Sequence, residues 1–263
     1  MDSRLIEVGH PETRSSVRVY EGGDGPELLF LHGAGGLFSD DPFLESLANH
    51  YRVYAPLLPG FEDSEGGDHL RGMLDFTLHA FDVFDALSLH QPLVVGHSMG
   101  GMIAAEMAAI APMEIQRLAL LAPAGLWKDE HPIEDLFSKL PFELPALLLH
   151  DPETNGALLS SGGDFNDPEF LSDFLVGNAR RLGTAGKLLF PVPDRGLRDR
   201  LYRIKAHTAV IWGRSDRLIP PVYGNDFVNE IPTATLHSIE EAGHMLQYEQ
   251  TEAVIKILAT LHN

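Results

Sequence analysis

The octapeptide VVGHSMGG, Val94 to Gly101, places Ser98 between Gly96 and Gly100. A serine hydroxyl in a G-x-S-x-G setting is a candidate nucleophile for acyl transfer. Chance alone yields that pentapeptide roughly 0.1 times in a chain with this Gly and Ser content, so its surroundings carry the weight. An apolar run, PLVVG (92–96), comes before it, and an Ala- and Met-rich stretch, MGGMIAAEMAAIA (99–111), comes after. The pattern predicts a strand, a sharp strained turn and a helix. Gly96 and Gly100 leave room for close backbone approach, and Gly101 lets the helix pack on the sheet. Ser98 then stands at a strand edge, with the N–H of Met99 facing any oxyanion that develops and the helix dipole favouring the negative charge.

Serine is a weak nucleophile until a base takes its proton, and the base needs an acid to orient it. The acid should also follow a strand. After RLALLAP (117–123) comes AGLW, with no acid in reach. After HTAVIWG (207–213) comes RSDRLIPP, which puts Asp216 three residues past the strand. Asp216 is the expected acid, although the same residues also read as a turn that an aspartate would stabilise. Asp226 is the fallback. Of thirteen histidines, His244 has the positional argument, because it ends the polar glycine loop EEAG that follows the last apolar strand. The order Ser98, Asp216, His244 matches one known triad order. A second oxyanion donor is expected in HGAGG (32–36), from the N–H of Ala34, where glycines expose the backbone. No G-K-[ST] follows, so this is not a phosphate loop.

These residues need a scaffold that brings strand ends to one edge. ELLFLHG (27–33), YRVYAPLLPG (51–60), PLVVGHS, RLALLAP and HTAVIWG are short continuous apolar runs. Such runs predict strands buried on both faces of a parallel sheet. SSVRVYEGG (15–23) alternates like a strand, and GGDG (22–25) predicts a hairpin turn. Helical patterns lie between the runs, at 40–50, at 70–89 with Leu74, Leu78, Phe81, Phe84 and Leu87 near helical spacing, and at 99–111. The class is therefore α/β, with ligands expected at the carboxyl edge of the sheet. From about Trp127 to Lys205 the alternation gives way to helical segments broken by prolines and by SSGGDFND (160–167). That predicts a core of 1–126 and 206–263 with a helical insertion at 127–205. A final strand over 233–243 and a helix over 250–261 close the chain.

Composition removes several alternatives. The chain has 263 residues and a formal charge of −19, which repels phosphate backbones and argues against nucleic acid as a partner. It has no cysteine, so disulfides, thiolate metal sites and cysteine catalysis are excluded. No apolar run approaches the roughly 20 residues of a membrane span. MDSRLIEVGHPETR lacks the apolar core of a signal peptide. A cytoplasmic enzyme acting on a small molecule is expected, without a metal.

Together LHGAGG, PLLPGFEDSE, VVGHSMGG, WGRSDRLIP and EEAGHM resemble the α/β-hydrolase family, in order and spacing from Leu31 to Met245. The resemblance implies a mostly parallel central sheet flanked by helices, with the helical insertion as a cap over the site. It implies Ser98, Asp216 and His244 as the triad, Ala34 and Met99 N–H as the oxyanion hole, and no cofactor. The family also holds epoxide hydrolases and dehalogenases with an aspartate nucleophile, which Ser98 excludes here.

The expected substrate is a carboxylic ester of small to medium size, cleaved through an acyl-enzyme. The segment LFSKLPFELPALLL offers apolar side chains for a pocket, or simply glues cap to core. The chain is also similar to carbon–carbon bond hydrolases that cleave vinylogous diketo acids. Arg180 or Arg181 of GNARRLG would bind the substrate carboxylate, or the pair would serve as surface or cap–core salt-bridge residues. Those enzymes usually carry Asn before the nucleophile and Trp after the catalytic histidine, where this chain has His97 and Met245. His97 is adjacent to Ser98, but neighbouring side chains at a sharp turn diverge, so it is expected to pack in the core or behind the reacting groups. Gly33, His97, Arg180, Arg181 and Met245 are thus the candidate substrate-binding residues. A non-catalytic receptor for small molecules on the same fold is the reading from another class.

Overall fold

Eight strands form one sheet in the spatial order β1-β2-β4-β3-β5-β6-β7-β8. In chain order they are β1 (Asp2–Val8), β2 (Ser15–Gly22), β3 (Glu27–Leu31), β4 (Arg52–Pro56), β5 (Leu93–His97), β6 (Arg117–Leu121), β7 (His207–Gly213) and β8 (Ala234–Ile239). The computed structural model describes residues 1–38, 40–160, 166–192 and 194–262. From β4 to β8 every pairing is parallel, whereas β1 and β2 add an antiparallel edge. The apolar runs explain this. β5 is buried at all five positions and β6 at four of five, because helices cover both faces of the parallel part.

Two expectations change at the β1 edge. Gly22–Gly25 is not a hairpin turn, because β4 inserts between β2 and β3 and takes the pairing that a hairpin would use. β1 had no signal in the sequence. Only Ile6 and Val8 of its seven residues are buried, as suits an edge strand with little apolar surface to hide.

The helices of the described residues are α1 (Pro42–Ala48), α2 (Met73–Ala86), α3 (Met99–Ile110), α4 (Leu144–Leu148), α5 (Pro152–Asn155), α6 (Pro168–Leu189), α7 (Arg198–Leu201), α8 (Val222–Glu230), α9 (Leu246–Glu249) and α10 (Thr251–Ala259). Asp41 starts α1 by accepting from Phe43 N–H and Leu44 N–H, with Pro42 at the first helical position. α2 meets the expected face in part: Phe84 and Leu87 are buried and Phe81 packs against the core, but its first half is rotated. Leu74 and Leu78 are exposed, and the buried stripe runs through Phe76, Ala80, Val83 and Phe84. α3 is buried along eleven of its twelve residues, which its Ala and Gly content allows.

Between β6 and β7 the described residues carry only helices, the longest being the 22-residue α6. The interruption SSGGDFND falls mostly outside the described residues. α6 buries only Ala185 and Leu188, both near its carboxyl end. The segment thus lies on the core through the carboxyl end of α6, through Leu149 and through Leu197, Leu201 and Ile204, rather than as a second packed core. Among the described residues no helix is long and apolar enough to cross a membrane.

The sheet register decides where the chemistry gathers. Leu31 pairs with Gly96, His97 with Leu121, Leu121 with Ile211, and Gly213 with Ile239. The loops that leave these ends carry 32–36, Ser98, Asp216 and His244. All four therefore emerge along one edge, as right-handed crossovers require.

Candidate active site

Ser98 occupies the turn between β5 and α3 with φ 54° and ψ −114°. A non-glycine residue there carries strain on the order of 1–3 kcal/mol, so neighbours must hold it. Its N–H donates to Leu121 O at 2.9 Å, and its carbonyl accepts from Met102 N–H and Ala124 N–H, each at 3.0 Å. Glycine is required on both sides. A Cβ at Gly96 would strike the backbone of Gly100 and Gly101, and one at Gly100 would strike the carbonyls of Leu31 and His32.

His244 Nε2 lies 2.9 Å from Ser98 Oγ, and His244 Nδ1 lies 2.8 Å from Asp216 Oδ2. All three side chains are buried, Asp216 and His244 at 5% and 2% exposure. A carboxylate can only accept, so Nδ1 carries the proton and Nε2 is left to accept from the serine hydroxyl. Asp216 Oδ1 accepts from Leu218 N–H and Ile219 N–H at 2.9 Å each. The turn bonds and the bond to His244 use different oxygens of this aspartate. Asp226 stands apart on α8, paired with Lys128 Nζ at 2.7 Å.

The turn that holds Ala34 is closed by Gly36 N–H donating to Gly33 O at 3.1 Å. A Cβ on Gly33 would press on His97 Nδ1 and Ser98 Cβ, so only glycine lets this turn approach the serine. Met99 N–H opens α3 directly after Ser98. Ala34 and Met99 thus lie on the loops that follow β3 and β5.

Ser98 lies where two arms of a cavity meet. One arm, about 60 Å³, is walled by Met102, Ile133, Leu136, Phe137, Leu188 and Ile219. The other, about 270 Å³, is bordered by Ala34, His97, Arg181, His244, Met245 and Tyr248. Among the described residues no cluster of three His, Asp or Glu side chains is placed to hold a metal ion.

Residues 28–257 match the alpha/beta hydrolase family. The chain belongs to it. A relative from Burkholderia cepacia, a 2-hydroxy-6-oxo-6-phenylhexa-2,4-dienoate hydrolase, is 30% identical over 90% of this chain and 87% of its own. A meta-cleavage product hydrolase from Pseudomonas fluorescens IP01 superposes with a TM-score of 0.77 at 19% identity, covering 100% of this chain and 97% of that one. Naproxen esterase from Bacillus subtilis superposes with a TM-score of 0.74 at 20% identity, covering 100% and 94%. The fold alone thus accommodates both ester and carbon–carbon hydrolases.

The remaining expected residues of this α/β hydrolase separate on α6. Arg181 borders the larger arm, donates from Nη1 to Glu62 Oε1 at 2.9 Å, and leaves a buried Nε without a partner. Arg180 is exposed. Successive helical residues point about 100° apart, so only one arginine of the pair can face the cavity. Gly33, His97 and Met245 all border the larger arm. His97 donates from Nε2 to the carbonyl of His244 at 2.9 Å, and burial beside His244 lowers its pKa to about 3. It is a neutral latch on the backbone of His244.

Two features of the site had no signal in the sequence. His32 donates from Nδ1 to Gly33 O at 2.7 Å and accepts from Leu58 N–H at Nε2, and burial holds its pKa down to about 4. A neutral ring is needed for both bonds, and it fixes the turn that carries Ala34. Tyr248, at the wall of the larger arm, donates to Asp41 Oδ2 at 2.6 Å. Burial pushes the Tyr248 hydroxyl well above its usual range and raises Asp41. Asp41 caps α1, but its second oxygen finds Tyr248 from 207 residues away.

Proposed function

We propose that this α/β hydrolase cleaves a carbon–carbon bond in vinylogous diketo acids of the 2-hydroxy-6-oxohexa-2,4-dienoate type. The carrying observation is that the two arms meeting at Ser98 differ: the smaller is walled mostly by apolar side chains, with Glu134 and Arg195 at its border, and the larger holds Arg181. Such a substrate has a carboxylate at C1, a dienol, a carbonyl at C6 and an acyl substituent beyond it. With C6 at Ser98, the carboxylate lies toward the Arg181 guanidinium at the border of the larger arm. The acyl substituent takes the smaller arm. At about 60 Å³ that arm is smaller than the roughly 150 Å³ that holds a benzene ring, so it suits a short alkyl chain. The Burkholderia cepacia relative supports the reading through the substrate in its name.

In this reading Ser98 is the nucleophile, His244 the base and Asp216 its orienting acid. The dienol first ketonises, losing the proton of its 2-hydroxyl and gaining one at C5. Ser98 Oγ then attacks C6 while His244 Nε2 takes its proton. The oxyanion sits between Ala34 N–H and Met99 N–H, each donor contributing on the order of 3–4 kcal/mol. Collapse breaks C5–C6, and the electron pair delocalises to the C2 oxygen as a dienolate, which the proton from His244 neutralises. Water then hydrolyses the acyl-enzyme through the same base. The proposal divides the chain into a core of 1–126 and 206–263 and a cap of 127–205.

Ester hydrolysis is the second reading, favoured by His97 and Met245 where carbon–carbon hydrolases usually carry Asn and Trp. A panel of p-nitrophenyl esters from acetate to palmitate beside 6-methyl and 6-phenyl dienoates separates the two. Dienoate cleavage with esters nearly untouched supports the carbon–carbon reading. Efficient ester cleavage with both dienoates inert replaces it with the second. Failure of Ser98 to react with a fluorophosphonate would favour the receptor reading over both.

A further inference from the structure

Asp216 and His244 are each flanked by residues bonded to one short stretch of the helical insertion. Arg217 Nη1 donates to Ala146 O at 3.0 Å and to Leu149 O at 2.8 Å. Ser215 Oγ and His150 Nδ1 are 2.7 Å apart. On the other side, Met245 N–H donates to Leu148 O at 3.1 Å. A Cβ on Gly243 would collide with Leu148 O and His150 N, so this loop touches the insertion backbone to backbone. Residues 146–150 thus contact the chain immediately before and after both the acid and the base.

One side chain joins the two sides. Glu249, at the end of α9, accepts from Gly243 N–H at Oε2, 2.7 Å away. Its Oε1 accepts from His150 N–H at 2.8 Å and from Asp151 N–H at 3.3 Å. One carboxylate oxygen holds the loop of His244 and the other holds the insertion. Charge-assisted bonds of this kind are about twice as strong as neutral ones. They also satisfy N–H groups that have no strand or helix partner, which backbone buried at such a junction requires.

We propose that Glu249 is a positioning residue that registers the insertion against the base loop, so that seating of the cap and placement of His244 are one event. The inference rests on the reading of Ser98, Asp216 and His244 as a triad. Placement matters because a misplacement of about 1 Å can cost on the order of 100-fold in rate. Glu249 touches neither Ser98 nor the cavity wall described above, so its effect passes through Gly243 and His244.

The test compares wild type, Glu249→Gln, Glu249→Ala and Ser215→Ala, with Glu252→Gln as a surface control. Two quantities are read well below each variant's melting temperature: the rate of Ser98 labelling by a small fluorophosphonate, and kcat and KM for p-nitrophenyl acetate. Glu249→Gln keeps one acceptor but turns an amide N–H₂ toward an N–H donor, and should slow labelling and kcat roughly 10-fold; Glu249→Ala should slow them about 100-fold. KM for so small an ester should stay unchanged. Ser215→Ala, which releases the opposite side of the same stretch and spares Asp216, should lower kcat in the same direction by less. It supplies the answer if Glu249→Ala does not fold. Wild-type labelling rates in all three variants, with only melting temperatures lowered, would overturn the proposal. An unlabelled wild type would overturn the triad reading and this inference with it.

Discussion

Asp216 and His244 are joined through a single carboxylate oxygen: Oδ2 lies 2.8 Å from Nδ1, while Oδ1 is committed to the N–H groups of Leu218 and Ile219. The acid is therefore held by backbone on one side while it orients the imidazole with the other. Asp216→Asn can keep the backbone bonds through its oxygen and then presents an amide donor to His244. That forces the wrong tautomer and should lower kcat by roughly 10⁴ with little loss of stability. Asp216→Ala should lose the backbone bonds as well, at about 1–2 kcal/mol of stability measured by urea unfolding. Asp226→Asn should leave kcat unchanged, since its carboxylate faces Lys128 on α8. A large kcat loss in Asp226→Asn would reassign the acid.

Ser98→Ala should abolish fluorophosphonate labelling and lower kcat by roughly 10⁴–10⁶. The strained backbone at φ 54° adds a second expectation. Ser98→Gly should relieve strain and raise stability by about 1 kcal/mol while remaining inactive. Thermal unfolding of the two inactive variants side by side checks this.

The two arginines of α6 should behave differently. Arg181→Gln removes the cation at the larger arm and should raise KM for a dienoate about 10- to 100-fold, the worth of a charge-assisted hydrogen bond. It should change p-nitrophenyl acetate hydrolysis little. Arg180→Gln should be silent with both substrates, because its side chain is exposed. Steady-state kinetics with the two substrates measures both. Loss of ester hydrolysis in Arg181→Gln would mean that Arg181 shapes the site through Glu62 rather than binding a carboxylate.

Acid should destabilise this protein early. Burial holds His32 and His79 down to about 4 and His97 to about 3. Unfolded histidine titrates near 6.5, so below that pH the unfolded chain binds protons that the folded chain refuses. The folded pKa is depressed for a base, so the stability present above pH 6.5 is lost as pH falls toward 4. Each of these histidines should contribute a loss on the order of 1 kcal/mol between pH 6.5 and 5.5. His79 lies outside the site, with a buried Nε2 that has no partner. His79→Leu should therefore leave kcat intact and reduce the slope of unfolding free energy against pH by about one proton. An unchanged slope would show that His79 is charged or exposed in the folded state.

Much of this protein is written locally. The five apolar runs contain β3 to β7, although the run over 51–60 is a strand only from Arg52 to Pro56, because strands buried on both faces have no polar face to disguise them. Ser98 was legible for a related reason: a strand, a glycine-flanked turn and a small-residue helix admit little else. The helix over 40–50 was legible too, though not the cap that Asp41 gives it. What the sequence could not express were relations between distant segments. β1 has too little apolar surface to announce itself, and β4 came between β2 and β3 through pairing that no local pattern records. The choice between Arg180 and Arg181 depended on the rotation of α6 over the cavity. The bond from His97 to the carbonyl of His244 spans 147 residues, and the three bonds of Glu249 bind two loops that a sequence reads separately. Residue types and short-range spacing determined which groups could react. Only the tertiary structure decided which of them meet, because hydrogen bonds and cavity walls depend on distances that the parallel sheet sets after the chain has crossed it.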